Sequence, residues 1–82
     1  MLHIQVVGVG CPNCQKLESL CKEVVAENNL DAKIDKVTDV DEFGALGIFV
    51  TPGLVVNGKA LSQGKIPTKH TLANWLLKEI GN

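Results

Sequence analysis

Residues 2–7, LHIQVV, form an apolar run that restricts the chain to few architectures. Leucine, isoleucine and paired valines over six positions are typical of a strand that is buried on both faces, and Gly8 and Gly10 end it. After Pro12, apolar residues recur at the spacing of an amphipathic helix that ends near Asn28–Asn29. A strand that leads directly into such a helix predicts a right-handed crossover to a parallel strand.

The next segments predict that second strand and a short helix. Apolar and charged residues alternate, which indicates a half-exposed strand over about residues 31–37. Asp39 or Asp41 is expected to cap a short helix that carries Leu46 and stops at Gly47.

The remaining residues predict a hairpin and a last helix. Asn57-Gly58 is the strongest short signal for a hairpin turn, and Thr68 is the expected N-cap of the last helix. The predicted fold class is therefore α/β, with the order β-α-β-α-β-β-α and a four-stranded mixed sheet with flanking helices. A chain of 82 residues has room for one domain, which we assign to residues 1–82.

Charge and hydropathy exclude several classes of function. Eight lysines and no arginine stand against nine acidic residues, for a net charge of -1, which argues against nucleic acid as a partner. The apolar run at the N-terminus is far shorter than a membrane span and lacks the features of a secretory signal, so we expect a cytoplasmic protein without membrane insertion. A monomer is expected, and no cofactor or metal ligand set is assigned.

Cys11 and Cys14 carry the clearest chemistry in the sequence. They enclose Pro12-Asn13 at the start of the first predicted helix, so their side chains are neighbours that a disulfide can join. The positive end of the helix dipole favours a thiolate at Cys11, which we therefore predict as the nucleophile. Cys14 lies on the buried stripe of the helix, where it would resolve a mixed disulfide from within.

Other interpretations of the cysteines stay open at this point. Two packed small hydrophobes are possible, and Cys21 is expected to be a core residue about 10 Å beyond Cys14, too far for a disulfide. A CxxC pair also begins many zinc and copper sites, although only His3 and His70 remain as further ligands, at no recognisable spacing. The function is therefore predicted as a thiol-disulfide oxidoreductase, with a soft-metal module or a redox-silent interaction domain as alternatives.

Four segments resemble one known family in order and spacing: GVGCPNCQKLE, DKVTD, VTPGLVVNGK and GKIPTK. They are similar to the small prokaryotic thioredoxin-fold proteins described as glutaredoxin-like or redox-active disulfide proteins. The resemblance implies a thioredoxin-like fold, a cis peptide bond at Thr51-Pro52 beside the cysteines, and substrate binding by Pro12, Thr51 and Pro52. It also implies that the partners are a protein disulfide or dithiol and an upstream dithiol reductase.

Departures from the larger relatives of that family are specific. Gly10 stands where typical thioredoxins have a tryptophan, and the first strand has no carboxylate to assist the resolving cysteine. The segment from Ser62 to Lys65 lacks the pattern that binds glutathione in glutaredoxins. The segment VVGVGCPNCQKL also resembles heavy-metal-associated domains, but those carry a methionine where this chain has Val9 and have no Thr-Pro before a hairpin.

Overall fold

The computed structural model describes residues 2–10 and 12–80. The elements are β1 (Leu2–Val7), α1 (Pro12–Glu27), β2 (Ala32–Val37), α2 (Val40–Phe43), β3 (Gly53–Val56), β4 (Lys59–Gln63) and α3 (Lys69–Ile80). The predicted order of strands and helices is confirmed. The four strands form one sheet in the order β2-β1-β3-β4, in which β1 and β2 are parallel and the other two pairings are antiparallel.

The register of the sheet brings three strand ends together. Val7, the last residue of β1, is paired with Val37 on one side and with Gly53 on the other. The Gly8 amide extends the parallel ladder by donating to the Val37 carbonyl at 2.9 Å. Residues that follow β1 and residues that precede β3 therefore lie at the same edge of the sheet.

The core lies on both faces of the sheet because side chains alternate along each strand. The larger cluster packs α1 and α3 against one face, and the smaller cluster covers the other face with Ile48 against Val7 and Val55. The sequence predicts burial of β1 on both faces, but His3 is exposed and Gln5 is only half-buried. The strand that is buried throughout is β3.

The short helix ends earlier than predicted. Of the two expected caps, Asp39 and Asp41, Asp39 is the one observed. Its side chain accepts a hydrogen bond from the Asp41 amide at 3.0 Å. The helix stops at Phe43, with Gly44 as its C-cap, because a glycine gains little from continuing a helix. Turns follow until Gly47, where a φ of +80° suits glycine, so Gly47 ends the turns and not the helix.

The turn and cap residues predicted for the last third of the chain are confirmed. Asn57 and Gly58 have φ values of 52° and 83°, as a two-residue hairpin turn requires. The Thr68 hydroxyl accepts a hydrogen bond from the Thr71 amide at 3.2 Å at the start of α3. None of the helices in the described parts of the chain combines the length and apolarity needed to cross a bilayer.

Candidate active site

The candidate site lies where the loop after β1, the first turn of α1 and the residues before β3 meet. The register of the sheet places Gly8 and Pro52 next to the pair Val7 and Gly53. Pro12 is exposed and begins α1, as predicted, because its missing N–H costs nothing at a first helical position. The Thr51-Pro52 peptide bond is cis, which confirms what the family resemblance implied.

Cys14 is placed by a close contact with the strand end. Its side chain lies against Gly8 so closely that a Cβ at Gly8 would overlap the Cys14 Sγ and lie 3.3 Å from the Cys14 Cβ. The same hypothetical Cβ would be 3.8 Å from the Thr51 Cβ, so Cys14 and Thr51 are both adjacent to Gly8. Cys14 is only 5% exposed, as its position on the buried stripe predicted.

The structure brings some of the predicted site residues together and leaves others apart. Cys14, Thr51 and Pro52 share the edge of the sheet, whereas Cys11 lies outside the described residues. His3 is at the start of β1, where its Nε2 lies 2.8 Å from Asp35 Oδ2, and His70 is on α3. Neither histidine borders the cavity beside Cys14.

A cavity of about 120 Å³ adjoins the Cys14 side chain, on the side that faces β2. Its lining consists of Val6, Gly8, Val9, Gly10, Cys14, Gln15, Lys36 and Thr38. It has room for water, and its wall includes both Cys14 and Lys36.

Lys36 is held beside this cavity by an ion pair with α1. Its Nζ lies 3.3 Å from Glu18 Oε1, while the other oxygen of Glu18 lies 3.8 Å from Lys22 Nζ. The Glu18 side chain is 16% exposed, against 58% for Lys36. A carboxylate is thus partly buried one helical turn after Cys14.

Cys21 belongs to the core and not to the site. It is fully buried in the cluster between α1 and the sheet, as predicted. Burial, with a smaller contribution from the negative charge of Glu18, raises the pKa of the Cys21 thiol to about 12. This thiol therefore stays protonated at neutral pH.

Two features of the site are not predicted from the sequence. The sequence indicates Gly8 only as the end of a strand, although it also provides the space for the Cys14 sulfur. The pairing of Glu18 with Lys36 depends on how α1 lies over β2, and the one signal for it is the position of Glu18 four residues after Cys14.

The fold and this site define a thioredoxin-fold domain. Comparison of three-dimensional structures supports the fold: the crystal structure of Deadhead, a germline-specific thioredoxin of Drosophila melanogaster, matches with a TM-score of 0.61 and 24% identity. The match covers 94% of this chain and 79% of that chain. At this identity the likeness concerns the fold.

Sequence comparisons give the family. The model of the thioredoxin domain matches residues 2–77. A thioredoxin of Methanothermobacter thermautotrophicus is 36% identical over 72 residues, which cover 88% of this chain and 94% of that protein. A thioredoxin of Methanocaldococcus jannaschii is 43% identical over 68 residues, which cover 83% of this chain and 78% of that protein.

The chain belongs to the thioredoxin family. It is a protein thiol-disulfide oxidoreductase, as the sequence predicted, and the soft-metal module and the redox-silent interaction domain are not favoured. Thioredoxins act on protein disulfides and are themselves reduced by a reductase.

Proposed function

We propose that Cys11 and Cys14 form the redox couple of this oxidoreductase, with Cys11 as the nucleophile and Cys14 as the resolving thiol. The observation that carries this assignment is the burial of Cys14 against Gly8, at the edge of the sheet that also holds Thr51 and Pro52. A sulfur buried in this way is poorly accessible to a folded protein substrate. It suits a resolving thiol, which attacks a mixed disulfide from within the protein.

The proposed reaction has two exchange steps. The Cys11 thiolate attacks one sulfur of a substrate disulfide, which forms a Cys11–substrate disulfide and releases the other substrate sulfur as a thiolate. Cys14 loses its proton and attacks the Cys11 sulfur, so that a Cys11–Cys14 disulfide forms and the substrate leaves with its second thiolate. The substrate disulfide gains two electrons and the dithiol loses them.

Substrate binding is assigned to Pro12, Thr51 and Pro52. Thr51 is exposed next to the buried Pro52, and its backbone can pair with an extended segment of the substrate, which is recognition by strand addition. Exposed apolar side chains at the same edge favour a protein as the substrate: Phe49 is 81% exposed, and Val9 and Val50 are also exposed.

We further propose that an upstream dithiol reductase regenerates the reduced form and that the protein acts as a cytoplasmic monomer. An odd number of cysteines, with Cys21 a buried free thiol, is more typical of a reducing compartment than of a secreted disulfide framework.

Covalent trapping tests the roles of the two cysteines. The Cys14→Ser variant is expected to accumulate a mixed disulfide with a protein substrate such as insulin, because resolution is lost. Cys11→Ser is expected to trap nothing, and Cys21→Ala serves as the matched control with wild-type turnover. Equal trapping by the Cys14 and Cys11 variants would contradict the assignment.

A further inference from the structure

We propose that Glu18 accepts the proton that Cys14 loses when it resolves the mixed disulfide, with transfer through the cavity between α1 and β2. The inference rests on the proposed function, since it takes Cys14 as the resolving thiol. Glu18 is thus a positioning residue for proton transfer, because it acts through water and not by contact with the reacting sulfurs.

The location of Glu18 on α1 supports this role. It follows Cys14 by four residues, so the two side chains lie on the same side of the helix, and helical side chains lean toward the N-terminus. This direction takes the Glu18 carboxylate toward Cys14 and the cavity. The effect of Glu18 on the pKa of Cys21, on the buried stripe of α1, indicates that its charge acts on the helix face that packs against the sheet.

Lys36 connects the carboxylate to the cavity. It is paired with Val6 in the β1–β2 ladder, and Val6 belongs to the cluster on the α1 side of the sheet. The Lys36 side chain lines the cavity together with Cys14, while its ammonium lies 3.3 Å from Glu18 Oε1. The cavity therefore has the Cys14 side chain on one wall and the ion-paired partner of Glu18 on another.

The charged groups around Glu18 come from two elements. Lys36 from β2 and Lys22 from α1 both face the Glu18 carboxylate, whose oxygens are the atoms that would accept the proton. Asp35, the neighbour of Lys36, points to the opposite face of the sheet, where it pairs with His3. The strand beneath Cys14, LHIQVV, carries no acidic residue, and Glu18 is the first acidic residue along α1.

The proposed step is balanced in charge and atoms. The S–H bond of Cys14 breaks, and its proton passes through cavity water to the Glu18 carboxylate. The electron pair left on sulfur forms the Cys14–Cys11 bond as the Cys11–substrate bond breaks. The substrate thiolate later takes up a proton from solvent, and Glu18 returns its own proton to solvent.

A two-phase thiol release assay with dithiobis(nitrobenzoate) tests the role. Attack by Cys11 releases one nitrothiobenzoate, and resolution by Cys14 releases the second, so the second phase reports the step in question. We expect Glu18→Gln to leave the first phase unchanged and to slow the second by about tenfold near pH 7, below the about 100-fold typical of direct general bases. The deficit should shrink as pH rises, because hydroxide then replaces the carboxylate as the acceptor of the Cys14 proton.

A matched variant and the sign of the effect distinguish proton transfer from a purely electrostatic influence of Glu18. Glu23→Gln removes a carboxylate of the same helix that pairs with Lys69, and it should leave both phases unchanged. If Glu18 were only a nearby negative charge, its removal would make the Cys14 thiol easier to ionise and the second phase faster. A faster or unchanged second phase, or one that is slowed equally at every pH, would overturn the proposal.

The same assay distinguishes failure of this inference from failure of the proposed function. Wild-type protein should release two nitrothiobenzoates per chain and Cys14→Ser only one. A single release from wild-type protein would overturn the resolving role of Cys14, and the role of Glu18 with it. Two releases combined with an unaffected Glu18→Gln variant would overturn the role of Glu18 alone.

Discussion

Gly8 and Cys14 are packed so closely that the chain directly after β1 has no space for a side chain. A Cβ on Gly8 would overlap the Cys14 Sγ, and a close-packed interior leaves little room for either residue to move away. The contact fixes where the buried sulfur lies relative to Thr51. A glycine is thus required at position 8 because the Cys14 side chain occupies the space of a Cβ, and not only because the strand ends there.

We expect Gly8→Ala to displace the Cys14 side chain. Overpacking of this kind costs about 1–3 kcal/mol of the free energy of unfolding, which urea denaturation measures. The second phase of thiol release should also slow, because the Cys14 sulfur is moved from its position against Gly8.

Gly44→Ala is the matched control for this substitution. Gly44 has helical dihedral angles, and its Cβ would meet no atom within 4 Å in the described residues. The alanine should leave thiol release unchanged and stability unchanged or slightly higher. If Gly8→Ala behaved like Gly44→Ala, the close contact with Cys14 would not be a determinant of the site.

A second close approach, between Gly53 and Ile48, predicts another overpacked variant. A Cβ on Gly53 would lie 2.7 Å from both the Cδ1 and Cγ2 of Ile48, which is buried in the smaller core cluster. Gly53→Ala should lower the free energy of unfolding by about 1–3 kcal/mol. Ile48→Val removes the Cδ1 and should relieve part of this loss, so the double variant should lose less than the two single losses added together. Additive losses would contradict a direct clash.

Local signals in the sequence are sufficient for most of the fold. Apolar periodicity identifies α1, Asn57-Gly58 identifies the hairpin, and Thr68 identifies the start of α3, because each depends on neighbours within a few residues. The cis peptide bond at Thr51-Pro52 is predicted by the family resemblance and not by a local rule, because only a small fraction of X-Pro bonds in folded proteins are cis.

Features that depend on packing between distant segments are not predicted. The contact of Gly8 with Cys14 joins a strand end to a helix, and the Glu18–Lys36 pair joins residues on α1 and β2. His3 is exposed because the smaller core cluster, which covers that face of β1 at Val7, does not extend to His3. Such contacts depend on how helices and strands pack against one another, and the periodicity of residues along a single helix or strand does not predict that packing.

The Gln63 side chain holds the loop before Thr51 through two hydrogen bonds. Substitution of Gln63 is therefore expected to impair reaction with protein substrates and not with small disulfides. Its side-chain amide donates to the Gly47 carbonyl at 2.7 Å, and its side-chain oxygen accepts from the Phe49 amide at 2.8 Å. Gln63→Ala removes both bonds, at about 1 kcal/mol each, and should loosen the exposed Phe49.

We expect Gln63→Ala to raise the KM for a protein disulfide by several-fold, with kcat less affected. Thiol release from dithiobis(nitrobenzoate) should be unchanged, because this small reagent does not need the loop. Lys59→Ala, on the same strand, removes only the ion pair between the exposed Lys59 and Glu79 and is the control. Equal losses with the protein and the small reagent would show that Gln63 affects the dithiol itself.

The buried thiol of Cys21 predicts how stability depends on alkaline pH. Its pKa is raised from 9.0 to about 12 in the folded protein, so between these values the folded state binds more protons than the unfolded state. The free energy of unfolding must then fall as pH rises, and it is fully maintained below pH 9. Cys21 should contribute a slope that approaches about 1.4 kcal/mol per pH unit in this window.

The comparison that isolates this contribution is urea denaturation of wild-type protein and Cys21→Ala from pH 7 to pH 11. The variant should be less stable at pH 7, because it leaves a small cavity beside Leu17 and Val24. Its disadvantage should shrink above pH 9, since lysines and the other two cysteines titrate in both proteins and only Cys21 differs. Parallel curves over the whole range would mean that Cys21 ionises as readily in the folded chain as in the unfolded one, in conflict with its burial.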